Sequence, residues 1–497
     1  MSHSTSSRPQ TSRPLMKTLL ITGGMILAVF FGLVSFTADP MLIGMAIGIF
    51  AGPALLLVPE FVVWVILVAS LLMGILSSSP QFGKATWAVS LLSMLLLVPS
   101  LLNVLWNKKR HLPFFLWLAL AFMGYAILLT AFQWYSAGEF LAGFKRYFQA
   151  FGLMLALVMY PFPETTLARW KKFLFSVALL QFPFALFELL VLVPMRTGGH
   201  ISSEATDIVA GTFGANLIGG SPNSVMVIYV FIACAFLIAR KRAGLLAGRQ
   251  FWIWLVICAL PLFMGETKVA VFMIPLVGII LMKKEIFRSP LQFFAALLII
   301  AILTLGLAYF YITVIIGSNL HDVLKATLAY NIGSHGYSQG QLLNRFSSIT
   351  FWMHKQNWGD PTGFLVGHGI GASYTATTGT SGHIGAAYPG YGINLTAVST
   401  LLWDTGLVGT LFYASIFIAA WFTAEHLAAR TTSTTVIADL QAIQAAIGLF
   451  MLSLFYSDSI VNLLPMEIIY AVVLGYLGYL VNQHWAQGTS AGRRVQP

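Results

Sequence analysis

Charge is what this chain has least of. Asp, Glu, Lys and Arg make up 9% of its 497 residues, where a soluble domain carries about 25%. A water-soluble globule is thereby excluded, and a hydrophobic share of 58% excludes intrinsic disorder. Only Cys234 and Cys258 are cysteines, both inside apolar runs, so no disulfide framework exists. There is no P-loop, dinucleotide fingerprint, HExxH or paired CxxC. Basic residues outnumber acidic ones, 27 to 16, yet no basic stripe with interleaved aromatics follows, so nucleic acid is not the expected partner.

What the chain has is apolar length. Hydrophobic runs recur at 18–36, 41–58, 61–77, 85–106, 112–132, 140–160, 173–194, 223–239, 251–264, 269–282, 291–316, 396–424, 440–456 and 463–482. At about 20 residues per crossing, they predict an all-α polytopic membrane protein with about 12–14 transmembrane helices. The first run follows Arg8, Arg13 and Lys17 like a signal peptide. It lacks a small-x-small cleavage site and flows into the next span, which predicts an uncleaved helix.

Counting alternate loops puts almost every basic cluster on one side: Arg8, Arg13 and Lys17, Lys108–Arg110, Arg169–Lys172, Arg240–Arg242 with Arg249, Lys283–Arg288, Arg430 and Arg493–Arg494. Only Lys84, Lys145, Arg146, Arg196, Lys268, Lys325, Arg345 and Lys355 fall elsewhere. The positive-inside rule then predicts both termini in the cytoplasm. The expected plan is a tail over 1–17, a helix bundle over 18–317, a large exofacial loop over 318–395, further spans over 396–482 and a tail over 483–497. Within the loop, 321–330 and 342–358 read as short helices and the remainder as glycine-rich turns. No internal repeat is visible, which weighs against the inverted-repeat plan of many transporters.

Chemistry-bearing residues gather on the exofacial side. Gly265-Glu266-Thr267-Lys268 joins two apolar runs of about 14 residues, long enough for about 21 Å of helix against a core of about 30 Å. Glu266 and Lys268 are therefore expected at membrane depth, where an ionisable pair is a functional candidate. Lys145 and Arg146 are placed to grip a lipid phosphate or to snorkel. In the long loop stand Arg345, Trp352, His354, Lys355, His368 and Tyr374, with Arg196 on the loop before it. Arg suits bidentate phosphate contacts, and His suits acid–base work near neutral pH. Of the acidic residues on this side (Glu139, Glu188, Glu204, Asp207, Glu266, Asp322, Asp360, Asp404, Asp458 and Glu467), Asp404 and Glu266 stand out for their apolar surroundings. None has metal-ligand spacing, so metal-independent chemistry without a cofactor is expected. Gly367-x-Gly369-x-Gly371 has no βαβ context and predicts a tight turn with exposed backbone N–H groups.

One stretch carries a resemblance. Asn344-Arg345, Trp352 and Phe364-Leu365-Val366-Gly367-His368-Gly369-Ile370-Gly371 lead into Leu402-Trp403-Asp404-Thr405-Gly406-Leu407-Val408-Gly409. With Gly211-Thr212-Phe213 and Pro222-Asn223, these motifs resemble the O-antigen ligase and O-antigen/exopolysaccharide polymerase superfamily. The ligases' His-Asn pair is replaced here by Leu395-Thr396, Thr267-Lys268 stands where Ser-Arg is usual, and Ala210 precedes Gly211 where an Arg is common. The missing His-Asn moves weight from ligase to repeat-unit polymerase.

The resemblance implies a multi-pass glycosyltransferase of the bacterial inner membrane. Its substrate would be an undecaprenyl-diphosphate-linked oligosaccharide, and its setting membrane lipids and other polysaccharide-assembly proteins. Arg345, Lys268 and Arg146 would hold the diphosphate, helped by Lys145, Arg196 and Lys355. His354, His368, Glu266 or Asp404 would orient or deprotonate the acceptor, and Trp352 and Tyr374 would stack on sugars. The alternatives are a ligase passing the glycan to another acceptor and, from a different class, a transporter or lipid-linked oligosaccharide flippase.

Overall fold

A computed structural model describes residues 58–72, 74, 85–106, 110–197, 208–215, 222–265, 269–291, 342–356, 361–375 and 381–493, with isolated positions over 294–328. The chain divides into two compact units, 1–62 and 63–497. Apart from the first turn of the first helix, everything below concerns the second. The expected spans at 18–36 and 41–58, the Glu266–Lys268 tip and nearly all of 291–316 and 321–330 lie outside the described residues.

The helices are α1 (Pro59–Leu72), α2 (Ala85–Leu95), α3 (Leu97–Trp106), α4 (Phe114–Phe132), α5 (Ala137–Phe148), α6 (Phe151–Met159), α7 (Glu164–Phe187), α8 (Asn223–Arg242), α9 (Gly248–Met264), α10 (Ala270–Leu281), α11 (Arg345–Lys355), α12 (Ala397–Arg430), α13 (Thr434–Tyr456) and α14 (Leu464–Arg493). No strand occurs among the described residues, and seven helical stretches are long and apolar enough to cross a membrane. This is an all-α, multi-pass membrane protein.

Burial sorts the helices. Every residue of α6, FGLMLALVM, is buried, as suits a helix that is apolar all round and sits at a bundle centre. It packs on α3 and α14, and α12 and α8 both pack on α13. Gly475 and Gly478 of α14 let that helix approach Leu157 and Val158 of α6 closely. The outer helices instead turn large side chains outward, as α4 does with Phe114, Trp117, Leu128 and Phe132. Lipid replaces water as their solvent, so such exposure carries no hydrophobic penalty.

Several expected spans are interrupted. The run 140–160 breaks into α5 and α6 at Gln149–Ala150. There the Gln149 side chain accepts from the Ser90 hydroxyl (2.7 Å) and donates to Glu467 (2.6 Å). The run 173–194 begins earlier, at Glu164, and passes through a π-helical turn at Glu188–Leu192. That turn aims the buried Glu188 at the Ala210 and Gly211 N–H groups (2.8 and 2.7 Å). Gln181, two turns earlier, accepts from the Thr212 N–H at 3.0 Å. These two side chains fix the Gly211-Thr212-Phe213 turn.

Candidate active site

The site grows from a broken helix. α12 starts with a capping box, in which the Thr396 side chain accepts from the Ser399 N–H and the Ser399 hydroxyl accepts from the Thr396 N–H. It then breaks at Gly406, whose φ of 67° and ψ of −172° are not helical. A Cβ there would lie 2.4 Å from the Leu365 carbonyl oxygen, so only glycine permits both the dihedral and the approach. A break leaves the preceding carbonyls without their helical partners. Three outside donors take them: the His368 N–H bonds Trp403 O (3.0 Å), the Gly369 N–H bonds Asp404 O (2.9 Å) and the Tyr125 hydroxyl bonds Thr405 O (2.9 Å).

The same loop then wraps the Asp404 side chain. The Gly371 N–H donates to Oδ2 (2.9 Å), the Ser373 N–H to Oδ1 (2.7 Å) and the Tyr147 hydroxyl to Oδ2 (3.0 Å). The Ile370 N–H donates to the Thr130 hydroxyl on α4 at 3.1 Å. Gly371 has a φ of 92°, and a Cβ on it would meet the Glu139 carbonyl of α5 at 2.7 Å. The glycine loop is thus a nest for an anion, as its spacing suggests, but the anion is the protein's own. Its N–H groups are not exposed as the sequence predicts, because the carbonyls and carboxylate of α12 occupy them.

Next to this nest is a small concavity with room for about one water molecule. Arg146, Tyr147, Tyr374, Asn394, Thr400, Asp404, Asp458 and Asn462 supply its polar lining. The Arg146 guanidinium stacks over the Tyr374 ring. Asp458 lies between α13 and α14, outside the membrane-spanning helices. Its Oδ2 accepts from the Asn462 amide at 2.9 Å, and the carboxylate also meets its own backbone N–H. Burial raises its carboxyl to about 6, while the Asn462 hydrogen bond and the charge of Arg146 pull the other way.

Arg345 does not line this pocket but is held on Tyr456, two residues before Asp458. It opens α11, whose N-terminus is fixed by the reciprocal pair Asn344 and Ser347, 2.7 and 2.8 Å apart through side chain and backbone. Its Nε donates to the Tyr456 carbonyl (2.6 Å) and its guanidinium lies 4.3 Å from that ring's centre. Two residues further along the chain is Asp458. Ser457, between them, accepts the Ala397 N–H at 3.1 Å. No protein-family model and no curated protein matches the chain. The geometry therefore stands alone.

The structure brings Arg146, Tyr374 and Asp404 into one pocket, whose lining does not include Arg345. Trp352 is only 3% exposed and stacks on Phe364 at 5.1 Å, so its ring is spent on packing. His354 and Lys355 are exposed on the last turn of α11, with the Lys355 ammonium 5.4 Å from the Phe351 ring centre. His368 is half-buried against Trp403. Lys145 lies over Trp87 on the face of α5 that meets α2. Glu266, Lys268 and the Arg196 side chain are outside the described residues. Gly265, just before them, is tied by its carbonyl to Asn223 (3.0 Å), whose amide also bonds Val209 O (2.8 Å).

Sequence reasoning passed over Tyr147, Asn462 and Asp458. It also passed over His383, whose Nδ1 meets Glu139 at 2.9 Å and whose ring stacks on Tyr135. Asp458 left one usable signal, a lone acid in a polar gap of a few residues between two spans. Among the described residues no group of three or more His, Cys, Asp or Glu is placed to hold a metal ion.

Proposed function

We propose that this protein is a polysaccharide polymerase of the bacterial inner membrane. It would transfer a glycan from undecaprenyl diphosphate to a sugar hydroxyl of another lipid-linked repeat unit on the exofacial side. The observation carrying this reading is the pocket itself. A guanidinium, amides, hydroxyls and carboxylates share one concavity among apolar helices, and a second guanidinium is held on Tyr456, two residues before Asp458. A lipid-linked diphosphate sugar is an anion with many hydroxyls, attached to an apolar chain, and each part has its counterpart here.

In this reading the reaction needs developing negative charge held on the leaving diphosphate. Fixed cations in a site of low dielectric do this without reorganisation, and guanidinium does it with two parallel hydrogen bonds. Arg146, preset by its stack on Tyr374, and Arg345, preset by the Tyr456 carbonyl, take that part. Both termini are placed in the cytoplasm and the 318–395 loop outside, following the basic clusters.

The test is deletion of the gene in its host and complementation with variants. Arg345→Ala and Arg146→Ala are expected to stop chain extension, and the lysine variants to restore it poorly, since the planar fork is lost. Single lipid-linked repeat units should accumulate on the exofacial leaflet. Accumulation on the cytoplasmic leaflet would instead identify a flippase, and normal long-chain polymer would remove these arginines from the site. Impermeant labelling of cysteines placed in the 318–395 loop, and none at position 241, checks the orientation.

A further inference from the structure

We propose that Asp458 is the general base that deprotonates the acceptor hydroxyl. This rests on the polymerase reading and goes beyond it by choosing among the carboxylates. Asp404, the more conspicuous in sequence, has both oxygens engaged: Ser373 N–H on one, Gly371 N–H and the Tyr147 hydroxyl on the other. A base needs a lone pair for the proton it takes, and three donors already occupy most of the acceptor sites of Asp404 in holding the loop. Asp458 lines the same pocket with a single side-chain partner, Asn462. As a whole residue Asp458 is half-buried, where Asp404 is 1% exposed.

The groups facing Asp458 complete the arrangement. From α5 come Arg146 and the Tyr147 hydroxyl, from α12 Asp404 and Thr400, and from the loop Tyr374 and Asn394. Arg146 is close enough to act on the Asp458 charge, yet the two form no ion pair within 4.0 Å among the described residues. The cation is thus left for the anionic leaving group while the carboxylate is left for the hydroxyl. In the step, the acceptor O–H proton passes to Asp458 and the oxygen's electron pair forms the new bond to the anomeric carbon. The bond from that carbon to the diphosphate oxygen breaks, and its pair departs on the lipid diphosphate beside Arg146.

The experiment uses the full-length protein in liposomes, with the lipid-linked repeat unit extracted from the deletion strain, and reads chain extension on gels. Asp458→Asn is expected to slow extension about 10²–10⁴-fold while still binding undecaprenyl diphosphate, followed by quenching of tryptophan fluorescence. Wild-type activity should fall as pH drops below about 6, the value to which burial raises this carboxyl, and Asp458→Glu should keep part of the rate with that acid limb displaced. Extension by Asp458→Asn at the wild-type rate overturns the assignment and leaves the polymerase reading intact. An acid limb removed by His383→Ala and kept in Asp458→Glu unmoved also overturns it, in favour of the His383–Glu139 pair. Loss of diphosphate binding in step with loss of rate overturns it too, since the carboxylate would then only shape the pocket. If the wild-type protein extends nothing from this lipid, both readings fall together.

Discussion

Asp439, in the second turn of α13, and Asp458, just past its end, are roughly 25 Å apart along the helix and have opposite surroundings. Asp439 is 1% exposed and saturated. Arg240 donates to it from Nε and Nη2 at 3.1 and 2.9 Å, the Tyr476 hydroxyl at 2.7 Å, and the Lys171 ammonium is 3.6 Å away. Four helices, α7, α8, α13 and α14, meet through that one carboxylate. Asp458 has one amide and a cation held at a distance. Asp404 belongs with Asp439, since its donors are backbone N–H groups and a tyrosine hydroxyl in place of arginine. A carboxylate with donors on both oxygens and three or more in all is a fastener, and one left with fewer donors is available for chemistry.

The largest effect expected is at the saturated end. Asp439→Ala leaves two cations without their counter-charge and should cost ~3 kcal/mol, as breaking a buried pair does. Thermal loss of the monodisperse species in detergent measures it, and a shift no larger than that of a surface mutation would dissolve the contrast. Asp404→Asn should cost about 2 kcal/mol, because one oxygen is lost and an amide then faces a backbone N–H. Extension activity should fall with the folded fraction, and an intact, inactive Asp404→Asn would move this residue into the chemistry.

Thr130→Val removes the acceptor for the Ile370 N–H and should cost ~1 kcal/mol. It sharpens the comparison by loosening the glycine loop without touching a carboxylate.

The smallest effect has the opposite sign. Asp458's folded-state pKa of about 6 lies above the unfolded value of 3.8. The native state therefore holds the extra proton between these values, and stability declines as pH rises through that window. Above about pH 6 the charged carboxylate is a standing cost that Asp458→Asn relieves. The variant should melt slightly higher than wild type at pH 7.5 and no higher at pH 4. A lower melting temperature at pH 7.5 would make Asp458 a fastener after all.

Much of the scaffold was legible in the sequence because apolar runs of bilayer length have few other uses. The run 223–239 became α8, 112–132 became α4, and the Asn344-Arg345 boundary is a helix start sealed by its own capping box. The breaks were not legible. Gln149 ends α5 through partners on α2 and α14, and no local pattern announces Ser90 or Glu467 as those partners. Arg146, Tyr374 and Asp404 were picked by residue type, yet their convergence depends on Gly406 bending α12 to admit residues 365–367. Trp352, which the resemblance offered as a sugar platform, has its ring packed on Phe364, a partner no local pattern announces. Asp458 was hidden by company: on paper it is one acid among several, and only its lack of donors distinguishes it.

The glycine loop has one more consequence. By composition, residues 367–373 are the sort of segment that exchanges its amide protons with solvent in seconds. Here His368, Gly369, Ile370, Gly371 and Ser373 give those protons to oxygens of α12 and α4. Exchange then requires α12 and the loop to part as one cooperative unit, with opening free energies of the kind found in core helices. In a deuterium-labelling time course this irregular stretch should stay dark alongside α12, a piece of loop with the clock of a helix.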